Sequence, residues 1–180
     1  MFRNKKEKGF TLLELLVVIG IIGLLSSIIV VNLTGARKKA RDVKRVADIR
    51  TIQTALESYY GKNGQYPTAI QGLVGATAEL PARPKDPIAA ATTDCATAQS
   101  DACYFYAYVT PTGAVGPQSY HIGASLEELG SSLLNQDTDC ISSAANTTCP
   151  VSSAYTNGFN GAQVAGCGST ASRECYDIAQ

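Results

Sequence analysis

Between Phe10 and Val31 the chain runs for 22 residues with one acid, Glu14, and no base. As a helix rising about 1.5 Å per residue, such a run is roughly 33 Å long and matches the hydrocarbon core of a bilayer. An isolated carboxylate inside a segment of this kind costs roughly 2.5–3.5 kcal/mol and marks a functional position by default. An ordinary secretory signal has an apolar region of about 7–15 residues followed by a small-residue cleavage site. Here the run is longer, and Ile29-Val30-Val31-Asn32-Leu33 offers no such site. The small residue, Gly9, instead precedes the run and closes a short basic stretch, Met1 to Lys8. Cleavage after Gly9 would remove the basic tail and keep the apolar helix.

The run Gly9-Phe10-Thr11-Leu12-Leu13-Glu14 resembles the processing site of type IV prepilins and the related pseudopilins. The resemblance implies that a prepilin peptidase, which is also an N-methyltransferase, cuts after Gly9 and methylates the amine exposed on Phe10. Glu14, fifth in the mature chain, then has a role: a neighbouring subunit brings its Phe10 amine against this carboxylate. Opposite charges about 4 Å apart attract by about 4 kcal/mol at an effective dielectric of 20. The pair satisfies a charge that is costly in the membrane, so it favours both assembly and axial register. The expected partners are further copies in a helical filament, the peptidase, an inner-membrane pilus or secretion assembly platform, and the lipid bilayer before assembly.

The helix is expected to continue past the membrane. From Asn32 to Tyr60 there is no proline, and only Gly35 interrupts the helix formers. Val46, Ile49, Ile52, Leu56, Tyr59 and Tyr60 fall at 3- and 4-residue spacings and form one apolar stripe. Gly61-Lys62-Asn63-Gly64 ends it, because glycine and asparagine supply left-handed backbone. A helix of this length needs lipid or sister helices around its lower half. Formal charge sums to zero over 180 residues but is unevenly placed. Seven bases lie between Arg37 and Arg50 against Asp42 and Asp48, while four bases and 11 acids follow from Thr51 on. The basic collar reads either as a solvated face that meets lipid head groups or as an attraction for neighbouring acidic heads. Nucleic acid is not indicated, since no aromatic residue is interleaved with these bases.

The resemblance widens downstream. Val31-Asn32-Leu33, the Lys/Arg-Ala run, Ala55-Leu56-Glu57-Ser58-Tyr59-Tyr60 and Asn63-Gly64-Gln65-Tyr66-Pro67-Thr68 look like consecutive blocks of pilins and major pseudopilins. Gln71-Gly72-Leu73 is similar to a segment of the major pseudopilins. Many members of the family carry proline where this chain has Val31, a position associated with unwinding of the helix in filaments. Gly20 and Gly23 are the residues here that could loosen that region.

Beyond Pro67 the pattern turns to strands. Cys103 to Val109 is aromatic and β-branched, Thr110 to Gln118 is rich in glycine and proline, and Ser119 to Ser125 forms a second run, which together predict a hairpin. Arg173 to Ile178 is a third strand. The expected fold is α+β: a long N-terminal helix whose upper half packs on a small antiparallel sheet. The expected parts are a cleaved leader over 1–9, a long helix over 10–61 (membrane-spanning over about 10–31) and a globular head over 62–180. Six cysteines, Cys95, Cys103, Cys140, Cys149, Cys167 and Cys175, all lie in the head. They allow 15 pairings and sequence alone selects none, although their short separations suggest 95–103, 140–149 and 167–175. Disulfides suit an exported, loop-rich region, and a chain with one histidine and no CxxC is poorly equipped for zinc.

Other chemistry is thin. Asp137 and Asp139 could offer oxygens to calcium, with Glu127, Glu128 or Asp177 as helpers, against the alternative of a polar loop, so no cofactor is assigned. Asn146-Thr147-Thr148 fits a glycosylation acceptor pattern. With His121 alone, no Ser-His-acid arrangement is proposed, and the expectation is a protein that is not an enzyme. The function expected is a structural subunit of a type IV pilus, placed first in the inner membrane with its N-terminus cytoplasmic and then in an extracellular filament. The alternative is a pseudopilin of a type II secretion system in a periplasmic filament. A membrane-anchored enzyme or binding domain ranks third, because it leaves Glu14 unexplained.

Overall fold

The computed structural model describes residues 9–75, 78–90, 95, 102–143, 147–162, 167–168 and 173–180, and of 28–32 the backbone alone. Of the expected leader only Gly9 is described, and Asn146 of the glycosylation pattern lies outside the described residues. The chain divides into two compact units, 1–37 and 38–180. Helix α1 (Leu12–Asn63) contributes to both.

In the first unit the apolar side chains of α1 stand open, from Phe10 and Leu12 through Leu25. Apolar surface of this extent is unfavourable in water and calls for lipid or an apolar partner. Two hydroxyls fall inside the run, and each is satisfied within the helix: Ser26 donates to the Ile22 carbonyl at 2.7 Å and Ser27 to the Leu24 carbonyl at 2.8 Å. Among the described residues no helix is long and apolar enough to cross a membrane; the side chains of 28–32, which complete the apolar run, are outside that description.

In the second unit α1 buries the stripe expected from its spacing: Val46, Ile49, Ile52 and Leu56, with Tyr59 and Tyr60 half-buried beside them. Gly64 closes the helix at φ +68°, where its N–H reaches the Tyr60 carbonyl at 2.8 Å. A short 3-10 turn, Ile70–Leu73, tucks Ile70 and Leu73 into the same core. The sheet has three antiparallel strands in the order β1-β2-β3: β1 (Phe105–Val109), β2 (Ser119–Leu126) and β3 (Glu174–Ala179). The architecture is therefore α+β, a long N-terminal helix on a small antiparallel sheet.

Strand alternation sorts the side chains into two layers. Tyr106, Tyr120, Ile122, Ala124, Leu126 and Tyr176 join the core that holds the helix stripe. Phe105, Ala107, Val109 and Cys175 belong to a second cluster with Cys140, Cys149, Tyr155, Phe159 and Cys167. The central strand β2 is buried along its full length because both sheet faces are covered. Gly123 sits opposite Phe105 in the ladder. A Cβ there would lie 2.8 Å from the Phe159 ring and 3.0 Å from the Cys167 sulfur, so the second layer can approach only over a glycine.

Candidate processing and assembly site

The residues expected to carry processing sit at the start of α1. Gly9 and Phe10 are exposed, Phe10 at 90%. Glu14 is exposed too, yet its carboxylate is engaged: Oε2 accepts from the Thr11 N–H at 2.9 Å and the Thr11 hydroxyl at 2.8 Å. The Glu14 N–H in turn donates to Thr11 Oγ1 at 3.2 Å. This is a capping box, in which an N-cap hydroxyl and an acid three residues on satisfy each other's free backbone donors. Thr11 was absent from the expected site, although the Thr-x-x-Glu spacing was legible. The carboxylate is thus held in the first turn of the uncut chain, beside the residue whose amine cleavage would free.

In the head, the charges expected as a solvated collar have a different fate. Arg45 is fully buried, and so is Asp42. Arg45 binds Asp86 through a fork, Nε to Oδ2 at 2.5 Å and Nη2 to Oδ1 at 2.9 Å, and reaches Asp42 Oδ1 from Nη1 at 2.6 Å. Glu127 lies 2.8 Å from the same Nη1 and takes a second fork from Arg41, at 2.8 and 2.5 Å. Asp42 also accepts the backbone N–H groups of Glu127 (3.0 Å) and Glu128 (2.9 Å), which ties α1 to the end of β2. Lys44 pairs with Asp48 at 3.1 Å, and Arg50 meets the Gln136 side chain.

Arg41 and Arg45 are accordingly engaged inside the head rather than presented to neighbouring heads; of the collar, Arg37, Lys38, Lys39, Lys44 and Arg50 are exposed. The periodicity that put Ile49 on the buried face puts Asp42 and Arg45 there as well, so spacing was the signal that could have found them. Arg41 hydrogen bonding, followed by that of Arg45, draws the Glu127 carboxyl down to about 2 against the opposing effect of burial. Burial opposes the charge on Arg45, but its bonds to Asp86 and Glu127 outweigh that and raise its pKa.

Three disulfides join Cys95 to Cys103, Cys140 to Cys149 and Cys167 to Cys175. Cys167–Cys175 clips a loop of the second layer to β3, and Cys140–Cys149 closes a loop within that layer. Between them lies a constellation that sequence reasoning did not anticipate. His121 on β2 has Nδ1 2.7 Å from Ser142 Oγ and Nε2 2.9 Å from Asp177 Oδ2, all three residues being buried. A serine, a histidine and an acid therefore do meet. They are not arranged to attack anything: the Ser142 hydroxyl is committed to the backbone of Phe159, bonding its N–H at 2.9 Å and its carbonyl at 3.1 Å. The Phe159 ring stacks on the imidazole with centroids 3.8 Å apart. Gly161 is needed here, since a Cβ would fall 2.6 Å from the Asp177 carboxyl.

The expected oxygen ligands do converge in part. Carboxylate oxygens of Asp137, Asp139 and Asp177 lie within 4.8 Å of one another. Such hard donors belong to the class that calcium takes. Asp177, however, already accepts the N–H groups of Asp139 at 3.1 Å and Cys140 at 3.2 Å besides the His121 contact, and Glu127 and Glu128 belong to the Arg45 network instead. The donor set therefore fits calcium in chemistry but carries no metal assignment.

Comparison with known proteins adds a second line. Residues 4–30 match the model of the prokaryotic N-terminal methylation motif, and residues 32–115 match the model of type II secretion system protein G. This part of the chain carries the signature of the pilin and pseudopilin family. The chain is 45% identical over 84 residues to the type II secretion system core protein G of Dickeya chrysanthemi, an alignment covering 47% of this chain and 54% of that one. It is 49% identical over 73 residues to the same-named protein of Escherichia coli strain K12 (41% and 50% covered) and 47% identical over 73 residues to that of Vibrio cholerae (41% and 50%). The chain thus spans about half the length of the curated relatives it matches. No solved structure matches it. These relatives are named as core proteins of a type II secretion system. The similarity favours the pseudopilin alternative over the type IV pilus subunit expected from the sequence. The head is where the chain and these relatives part, since the matched region ends at residue 115 while two of the three disulfides lie beyond it.

Proposed function

We propose that the chain is a pseudopilin of a type II secretion system, cleaved after Gly9 and assembled into a short periplasmic filament. The observation that carries this reading is the match of residues 32–115 to protein G directly behind a methylation motif. The chain first rests in the inner membrane as a single-pass precursor with its apolar helix in lipid, which accounts for the open apolar surface of the first unit. A prepilin peptidase removes 1–9 and methylates Phe10, and a secretion assembly platform draws the helix into the filament. There the new Phe10 amine of one copy meets Glu14 of the next. In the precursor Thr11 holds that carboxylate, so it is never left bare in the apolar environment.

Deletion of the gene in its own cell separates this from a pilus. The expected outcome is that exported proteins accumulate in the periplasm while the filaments sheared from the cell surface are unchanged. Loss of sheared filaments with normal export would replace the pseudopilin reading by the pilus. The role of Glu14 is tested by Glu14→Ala, which should be cleaved and methylated normally yet fail to enter filaments, as read by N-terminal mass spectrometry and by fractionation of assembled from membrane-held protein.

A further inference from the structure

Of the seven bases between Arg37 and Arg50, four have partners in the head: Arg41, Lys44, Arg45 and Arg50. Arg37, Lys38 and Lys39 form no ion pair among the described residues. The helix is bare around them: every residue from Leu33 to Ala40 is exposed, and a Cβ on Gly35 would meet nothing within 4 Å. No acid occurs between Glu14 and Asp42, and Asp42 is buried and engaged with Arg45 and two backbone N–H groups. At about 100° per residue, three consecutive bases cover about 200° of the helix surface, so they form part of a ring rather than a face. Their Cα–Cβ bonds tilt toward the helix N-terminus, which is toward the apolar run. The bases stand six to eight residues beyond Val31. That is about 9–12 Å of helix rise, and the polar layer on each side of a bilayer core is about 5–7 Å deep. A lysine or arginine stem that leans back along the helix spans the difference and keeps its charge in the polar layer.

On the reading of the chain as a membrane-held precursor, we propose that Arg37, Lys38 and Lys39 bind the head groups of anionic phospholipid in the leaflet where the apolar run ends. Two independent observations meet here. The apolar surface of α1 stands open from Phe10 to Leu25 and calls for lipid. Three uncompensated bases then follow at the level where the head groups of that lipid end. A neighbouring acidic head would approach from one side and engage one or two of the bases, whereas a lipid annulus meets all three. The contacts fix how far the helix stands out of the bilayer, and each must break when the subunit is drawn into the filament.

The test places a fluorophore on the bare stretch of the full chain. All six cysteines are in disulfides, so Gly35→Cys supplies the single free thiol, at a position where a side chain has open space. The labelled chain is held in nanodiscs of phosphatidylcholine that contain a small share of either phosphatidylglycerol or phosphatidylcholine brominated high on the acyl chains. Bromine quenches the fluorophore only from lipids beside it. The expected result is a local enrichment of phosphatidylglycerol over phosphatidylcholine of about fivefold at low salt. It should vanish at about 1 M salt, where charges are screened beyond about 3 Å. Replacing all three bases, Arg37→Gln with Lys38→Gln and Lys39→Gln, should abolish the preference and leave quenching by phosphatidylcholine unchanged. Equal quenching by the two lipids with the bases intact would overturn the proposal and leave the membrane-held reading standing. Quenching by neither lipid would show that the apolar run does not lie in the bilayer up to Val31, and both would fall. A preference that survives the triple substitution would belong to other residues and overturn the proposal as well.

Discussion

The same helix handles charge in two opposite ways. In the first unit Glu14 stands on an exposed apolar helix and is satisfied by a neighbour three residues away, Thr11, through bonds any helix start could make. In the second unit Arg45 is sealed from solvent and is satisfied by Asp86, 41 residues on, and by Glu127 at the end of β2. A locally satisfied carboxylate can exchange its partner without disturbing the fold, as the assembly role proposed for Glu14 requires. A buried cation with distant partners cannot, and it ties the helix to two segments of the head.

Four outcomes would break or sharpen that contrast. The largest belongs to Arg45→Met, which strands Asp42 and Asp86 in the interior and should cost about 3–5 kcal/mol in chemical denaturation of the full chain in detergent. A loss under 1 kcal/mol would mean that the network relaxes to water. Next, Cys140→Ser with Cys149→Ser opens a loop of sequence separation 9. By the chain-entropy account it should lower stability by about 2–3 kcal/mol.

The third outcome is a pH effect. Glu127 has a folded pKa of about 2 against an ordinary 4.5, so its contribution is full above the ordinary value and is lost as pH falls toward 2. Stability should decline over that acid window in the native chain and decline less in Glu127→Gln, as followed by melting temperature at each pH. The smallest effect belongs to Thr11→Ala. Removing the N-cap should cost about 1 kcal/mol, confined to the first turn and seen as faster amide exchange at Leu13 and Glu14 with the head unchanged. Exchange spreading into the head would show that the start of the helix is not local after all.

Much of this was legible residue by residue. The apolar run, the stripe from Val46 to Leu56, the hairpin at Phe105–Leu126 and the terminal strand near Cys175 all follow from spacing, because a helix and a strand each impose a fixed period on what they bury. The Thr11–Glu14 box was equally legible, being a contact three residues long. The partners of Arg45 and His121 were not, although spacing alone puts Arg45 on the buried face of the helix. What surrounds the two comes from segments 41 and 56 residues away in the chain.

What the sequence by itself determined is therefore periodic or short in range: a long helix preceded by a glycine and carrying a single acid in its apolar run, a small antiparallel sheet, and cysteines close enough to pair with their neighbours. Only the tertiary structure decided that the collar's central arginine is a buried tie and that Ser142, His121 and Asp177 meet. The physical reason is that burial and electrostatic partnership depend on which distant segments fold over a residue, and no local period encodes that choice.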